Sequence, residues 1–390
     1  MINCKNKMII FVYYEIKAKL MSQTLKHIIV ISFITSISMA ATPYISAQHL
    51  SVYSDYLDKV FVFDNGHTRQ IEHLPLRSYK IGNHAVSYED NAGNFKIYQN
   101  NYLHNVSAFV SEYKASDNLV VYRMNNQLKV FDNGQNKNLS TNITSYAAGD
   151  DVVIFFDDRN YKLMAYYNSK FYELDDALNL DSITGFSCGE NTIVYRDSKD
   201  YYHIFYDGEI FDLAYYERIK SVSAGRNIVA FVEEPMNNFQ VFYNNEIVEL
   251  ESFEPTQYLC GDDLVAYIDA NSYLKVFDRG ASLVLSFDKP GFFEVHDEMV
   301  LFSIQNDFKV YVFGKTFTLE NYIPAKYLAN NNVVVYIDTH GNLKLFEGGH
   351  TKTISYEKIN DFELHGNTVK YKFGVKSENI YSNGKTYTNN

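Results

Sequence analysis

Tryptophan is absent from the 390 residues, proline occurs only 6 times and cysteine 3 times. So little proline leaves no room for the Pro-rich segments that separate loosely joined modules. Three cysteines do not make the framework of a small disulfide-stapled scaffold. An excess of positive charge is also missing, because 35 Lys and Arg stand against 47 Asp and Glu for a formal net charge of -12. A nucleic-acid partner, whose phosphates need neutralising, is therefore not expected. One apolar stretch, residues 28–39, stands near the N-terminus, and it falls short of the roughly 20 residues that span a bilayer. What is abundant is aromatic: 34 Tyr and 28 Phe, within a hydrophobic content of 46%. Aromatic and β-branched residues without proline favour strands, so the fold expected is all-β. At about 150 residues per domain the length suggests two or three domains, although β architectures often exceed that in one.

Lys26 and His27 precede the apolar stretch and small residues follow it, the order of a secretory signal peptide. Met21 gives a compact signal over residues 21–40, ending Ser38-Met39-Ala40, with residues 1–20 as an upstream extension. No Cys follows the stretch closely, so lipid attachment is not expected there. The mature chain, residues 41–390, is expected in the periplasm or outside a bacterial cell, without a membrane span. Five Lys and one Glu lie in the first 40 residues, so the mature part is more acidic than the whole.

A β-branched run ending in an aromatic recurs ten times, at Tyr53, Tyr88, Tyr122, Phe155, Tyr195, Phe231, Tyr267, Phe302, Tyr336 and Tyr371. The spacing averages about 35 residues, a period that marks solenoids and propellers. Each unit reads as four short strands. Around Tyr267 these are Thr256 to Cys260, Leu264 to Ile268, Leu274 to Phe277 and Ser282 to Ser286, with Gly261-Asp262-Asp263 and Asp278-Arg279-Gly280 as turns. The latter turn recurs as Asp64-Asn-Gly66, Asp132-Asn-Gly134, Tyr206-Asp-Gly208, Glu347-Gly-Gly349 and Ser382-Asn-Gly384. Asn-Gly and Asp-Gly supply the positive φ angles of type I′ hairpins. Four antiparallel strands per unit, with no helical pattern between them, predict a β-propeller of ten blades. A single ring is expected over two five-bladed rings, because Phe211 to Asn227 holds no linker and keeps the repeat in step. Residues 42–46 align with Thr256 to Cys260 and are expected to form the first strand of blade one. Cleavage after Ala40 keeps that strand, whereas cleavage after Ala47 would remove it. Seven residues before each anchor stands a small or aliphatic residue, such as Ala115, Cys188 or Ala224, suited to a crowded innermost strand.

Gly261-Asp-Asp-Leu-Val-Ala-Tyr267, Leu274-Lys-Val-Phe-Asp278 and Leu283 to Ser286 resemble the repeat of TolB-type, WD40-like propellers, and degenerate copies cover residues 42–390. The resemblance implies a propeller in an exported setting and names no partner. The units are shorter than the roughly 40 to 45 residues of WD40 blades, and a Trp-Asp signature is impossible without Trp. TolB's separate N-terminal domain is lacking.

Hydrolase signatures are missing: there is no Gly-x-Ser-x-Gly, no His-Glu-x-x-His and no Gly-rich phosphate loop. Ten blades also leave no length for a catalytic domain. No cofactor or metal is assigned from the sequence, and no feature sets the oligomeric state. Cys188 and Cys260 occupy the same position in blades five and seven. A full blade between them exceeds the roughly 7 Å that a disulfide allows, so both are expected as small buried thiols.

The best polar constellation is the first-to-second turn: Gln48-His49, Asn83-His84, Asp117-Asn118, Asp150-Asp151, Glu190-Asn191, Arg226-Asn227, Asp262-Asp263, Asp297-Glu298, Asn331-Asn332 and Gly366-Asn367. Ring closure would gather these near the axis as an acidic ring, with His49, His84, Asp150, Asp151, Asp262 and Asp263 as candidate ligand-binding residues. Carboxylates suit Ca²⁺ and imidazoles suit transition metals. Tight turns require Asp, Asn and Gly in any case, which is the stronger reading. His296 and His365 share a position and read as turn residues. Asp157-Asp158, Asp197 to Asp200, Glu233-Glu234 and Asp338 to Asn342 read as solvated acidic loops. Seven of the ten core anchors are Tyr, which argues against a stacking platform. The function expected is a non-enzymatic exported propeller that binds a protein, peptide or glycan. The alternatives are a propeller enzyme acting on a glycan, lyase or hydrolase, and a cation-dependent binder.

Overall fold

A computed structural model describes residues 49–176, 186–214, 218–374 and 377–389. Ten antiparallel sheets follow one another along the chain, nine of them four-stranded in sequential order. Blade one contributes three described strands, Leu50–Ser54, Val60–Asp64 and His67–Glu72. Its expected first strand, the leader and both cleavage positions lie outside the described residues. No helix among the described residues is long and apolar enough to cross a membrane.

Blade seven shows how sequence becomes sheet. Gln257–Cys260, Leu264–Ile268, Leu274–Asp278 and Ala281–Ser286 pair in order, with Tyr258 opposite Tyr267 and Ala266 opposite Val276. The turn Arg279-Gly280 has φ of 48° and 89°. All ten third-to-fourth turns carry two successive positive φ values, including Asn100-Asn101, Asn168-Ser169, Asn244-Asn245 and Phe313-Gly314. Asn enters the left-handed region more readily than most residues, so the first three of these turns share the hairpin geometry without the Asn-Gly signature, while Phe313 does so beside a Gly.

The second strand is buried on both faces because its side chains alternate between two neighbours. Leu264 and Ala266 pack with Phe293, Val300 and Phe302 of blade eight, whereas Val265 and Tyr267 pack with Ala230, Phe239 and Val241 of blade six. All ten aromatic anchors are buried in this way. Polar pins reinforce the stacking. Tyr88, Tyr267 and Tyr336 each donate to a Glu closing the fourth strand of the preceding blade, Glu72, Glu251 and Glu320, at 3.0 Å. Lys96, Lys275 and Lys344 reach the same three carboxylates at 2.6, 2.7 and 2.6 Å.

The chain closes one ring. Packing continues without a break from blade five to blade six, where Val194 and Ile204 meet Val229 and Phe231. Blade ten meets blade one through Ile380 against Tyr53 and Phe63. Lys370, where other blades hold an uncharged residue such as Val52, Ile154 or Ala266, crosses the seam: Nζ donates to the Val52 carbonyl at 2.9 Å and to Tyr79 Oη at 3.2 Å, and pairs with Glu363 at 2.9 Å. Two separate five-bladed rings are thereby excluded.

Candidate functional site

Within a blade the first-to-second turn lies at the inner end, so the described turns gather around the axis on one face. They approach one another because the residue six before the anchor is Gly in blades two, four, five, six and seven. A β-carbon at Gly82, Gly149, Gly225 or Gly261 would overlap backbone of the next blade. Crowding therefore falls on this position, one residue beyond the small residues expected to bear it. Main-chain bonds then link neighbouring turns: Asp150 N–H and Asp151 N–H donate to the Glu190 carbonyl at 2.8 and 2.9 Å, and Asp262 N–H donates to the Asp297 carbonyl at 2.7 Å.

Arg226 sits at the centre of the acidic side of this mouth. Its guanidinium reaches Asp150 at 3.1 Å, Glu190 at 3.0 Å and Asp262 at 3.4 Å, and also pairs with Asp151. Carboxylates from blades four, five and seven are thus tied by one side chain of blade six. Glu190, Asp262 and Asp297 bring an oxygen each within 4.8 Å of one another. Asp117 joins through its N–H, 3.3 Å from Asp150 Oδ1. Across the mouth, Asn331 Nδ2 of blade nine donates to Asn83 Oδ1 of blade two at 3.2 Å.

One guanidinium does not neutralise this many carboxylates in a partly dry setting, so several of them are held above the ordinary carboxylate range. Burial first, then Asp150 and Asp297, pushes Asp117 up to about 8. Burial, then Asp262 and Asp150, pushes Glu190 up to about 9. Asp297 rises to about 6 through burial and Glu190. Burial works against the Arg226 charge, but the surrounding carboxylates outweigh it and raise its pKa. Asp262 Oδ1 is buried without a hydrogen-bond partner among the described residues.

Of the six candidate residues, Asp150, Asp151 and Asp262 belong to the Arg226 cluster. Asp263 does not: it is a left-handed turn residue, φ 55°, and its neighbours are Asn227 and Arg279. His84 stands near enough to Asp151 to feel its charge, yet burial dominates and lowers its pKa. His49 is buried, its pKa lowered by burial, and its Nδ1 has no partner among the described residues. Neither histidine forms a ligand set with the carboxylates. Arg226, one member of the turn series but not among the six, organises the site; a cation in an otherwise acidic series was the signal available.

A description of the 10-bladed beta propeller domain matches residues 44–387. The chain belongs to that family. No curated protein matches it. Solved structures similar to this 10-bladed propeller include the CRINKLY WD40 ectodomain of the Arabidopsis thaliana receptor kinase ACR4, at 10% identity and a TM-score of 0.35 over 71% of this chain and 93% of that one. PorZ, a bacterial surface component of the type-IX secretion system of Porphyromonas gingivalis, is similar at 10% identity and a TM-score of 0.25 over 86% and 58%. The computationally designed Ika8 protein is similar at 16% identity and a TM-score of 0.31 over 65% and 90%.

Elsewhere in the propeller three expectations change. His296 and His365 end strands Phe293–His296 and Ile359–His365 rather than lying in turns, and each meets the Glu two residues earlier, Glu294 at 3.1 Å and Glu363 at 3.2 Å. Asp338 is not solvated: it is buried, and its Oδ1 accepts the His340 and Asn342 N–H groups at 2.9 Å. Cys188 and Cys260 are free, as expected, and burial pushes both thiols up to about 12, but at the residue level each is only partly covered.

Proposed function

We propose that this propeller is an exported, non-enzymatic binding or scaffolding protein whose axial mouth engages cationic groups of a protein or peptide partner. The observation that carries the reading is the convergence of Asp150, Asp151, Glu190 and Asp262 on Arg226, with Asp117 and Asp297 beside them. A glycan partner presenting amino groups fits the same chemistry. The signal-like N-terminus and the TolB-like cast of the repeat support an exported setting, periplasmic or extracellular. Titration calorimetry with Lys- and Arg-rich peptides, neutral glycans and acidic peptides tests it. Binding confined to the cationic ligands, weakened at least tenfold by combined Asp151→Asn, Asp262→Asn and Asp297→Asn, is expected. Equal affinity of wild type and variant would remove the mouth from the reading.

The raised pKa values of Glu190 and Asp117 in one cluster favour a second reading, a propeller enzyme with a carboxyl acid poised for glycan cleavage. It ranks lower because Arg226 already engages Glu190 and Asp262. Glycan turnover that Glu190→Gln abolishes would reverse the order. The oxygens of Glu190, Asp262 and Asp297 also suit a hard cation, and a melting shift with Ca²⁺ reversed by chelation would identify that use.

A further inference from the structure

The outer strand of blade seven, Ala281–Ser286, reads Ala-Ser-Leu-Val-Leu-Ser and holds no ionisable side chain. Eight of the other nine outer strands carry a charged residue, for example Arg69, Lys137, Lys170, Glu246, Lys315 and Lys385, and that of blade two carries His104. Charge on an edge strand is what deters pairing with a further strand, so this edge lacks the usual protection. Leu283 and Val284 are 43% and 44% exposed. Ala281 and Leu283 pair inward with Asp278 and Val276, which by the alternation of antiparallel ladders turns the N–H and C=O groups of Ser282 and Val284 outward.

We propose that this edge is a self-association surface, where a second copy of the chain pairs antiparallel across a two-fold axis at Leu283. The sequence is self-complementary in that register. Ser282 falls opposite the partner's Val284, Leu283 opposite the partner's Leu283, and two hydrogen-bonded pairs form. At the ends, the turn at Arg279, whose side chain is 44% exposed and pairs with Asp278 and Glu298 of its own chain, arrives beside the partner's Phe287 and the partner's Asp288. A guanidinium next to an exposed aromatic and a carboxylate is attractive at both ends of an isologous interface. Two copies of an acidic chain repel over most of their surface, and they approach best where charge is absent. The neighbouring outer strand of blade six, Glu246–Glu251, would gather Glu246, Glu249 and Glu251 of both copies along one seam if it paired with itself. A strongly charged foreign strand finds no counter-charge on Ala281–Ser286, which favours the second copy as occupant.

Sedimentation and oxidative cross-linking test the pairing. A concentration-dependent dimer is expected, with Val284→Lys weakening it at least tenfold while leaving the melting temperature unchanged. Leu283→Cys is expected to cross-link to itself under mild oxidation, because opposite residues in a non-hydrogen-bonded pair bring their β-carbons to about 4.5–5.5 Å. Ile247→Cys in blade six, 44% exposed, is the matched control, and the unsubstituted chain reports the native cysteines. A chain that stays monomeric at every concentration overturns the proposal. So does a dimer that Val284→Lys leaves intact, or Ile247→Cys cross-linking as fast as Leu283→Cys.

Discussion

A β-carbon added to Gly189 would stand 2.6 Å from the carbonyl oxygen of Gly225 in the next blade. Backbone, not a flexible side-chain tip, fills that space, so even one methyl forces the inner strands apart. Gly189→Ala is expected to cost about 3 kcal/mol or more, the upper range of overpacking. Gly280→Ala, where nothing lies within 4 Å and only the φ of 89° is strained, should cost about 1–2 kcal/mol. Chemical denaturation of the two variants checks the order; equal losses would mean that the inner strands have room to yield.

Stability should fall as pH rises. Asp297 and Glu190 have folded-state pKa values raised to about 6 and about 9, so above the ordinary carboxylate range the native chain holds more protons than the unfolded chain. Their stabilising contribution is complete below about pH 4 and is lost as pH climbs through those folded values. Melting temperatures from about pH 5 to about pH 9 should decline, and Glu190→Gln should flatten the upper part of the curve. An unchanged slope in that variant would place the proton elsewhere.

The pin between blades six and seven offers a third test. Lys275 Nζ lies 2.7 Å from Glu251 and 2.9 Å from Asp269, whose side chain is 3% exposed. Lys275→Met strands a buried carboxylate and is expected to cost about 3 kcal/mol. Tyr267→Phe removes only the hydrogen bond to Glu251 and should cost about 1 kcal/mol. Because both partners share Glu251, the double variant should depart from additivity, and strict additivity in a thermodynamic cycle would show the pin to be two independent contacts.

Blade count, strand order and the buried anchors were legible because they follow from local alternation and from turns such as Asp278-Arg279-Gly280. The axial gathering of Asp150, Asp151 and Asp262 followed from the repeat period alone. What stayed hidden depends on how blades lean on each other. Nothing local distinguishes Gly189 as a contact glycine from a turn glycine. Asp263 differs from Asp262 only in the direction its left-handed backbone gives the side chain. Nothing near Lys370 in the sequence shows that the seam supplies Val52 and Glu363 as its partners.

Arg226 also bears on the order in which the molecule can be built. It lies 75 and 76 residues after Asp151 and Asp150, and its other partners lie 36 residues away on either side, at Glu190 and Asp262. A chain emerging from the ribosome exposes the early aspartates well before their counter-charge exists. The Arg226 cluster is therefore complete only once blades four to seven are all in place. Fragments ending after blade five should behave as loose strings of hairpins, not as smaller propellers.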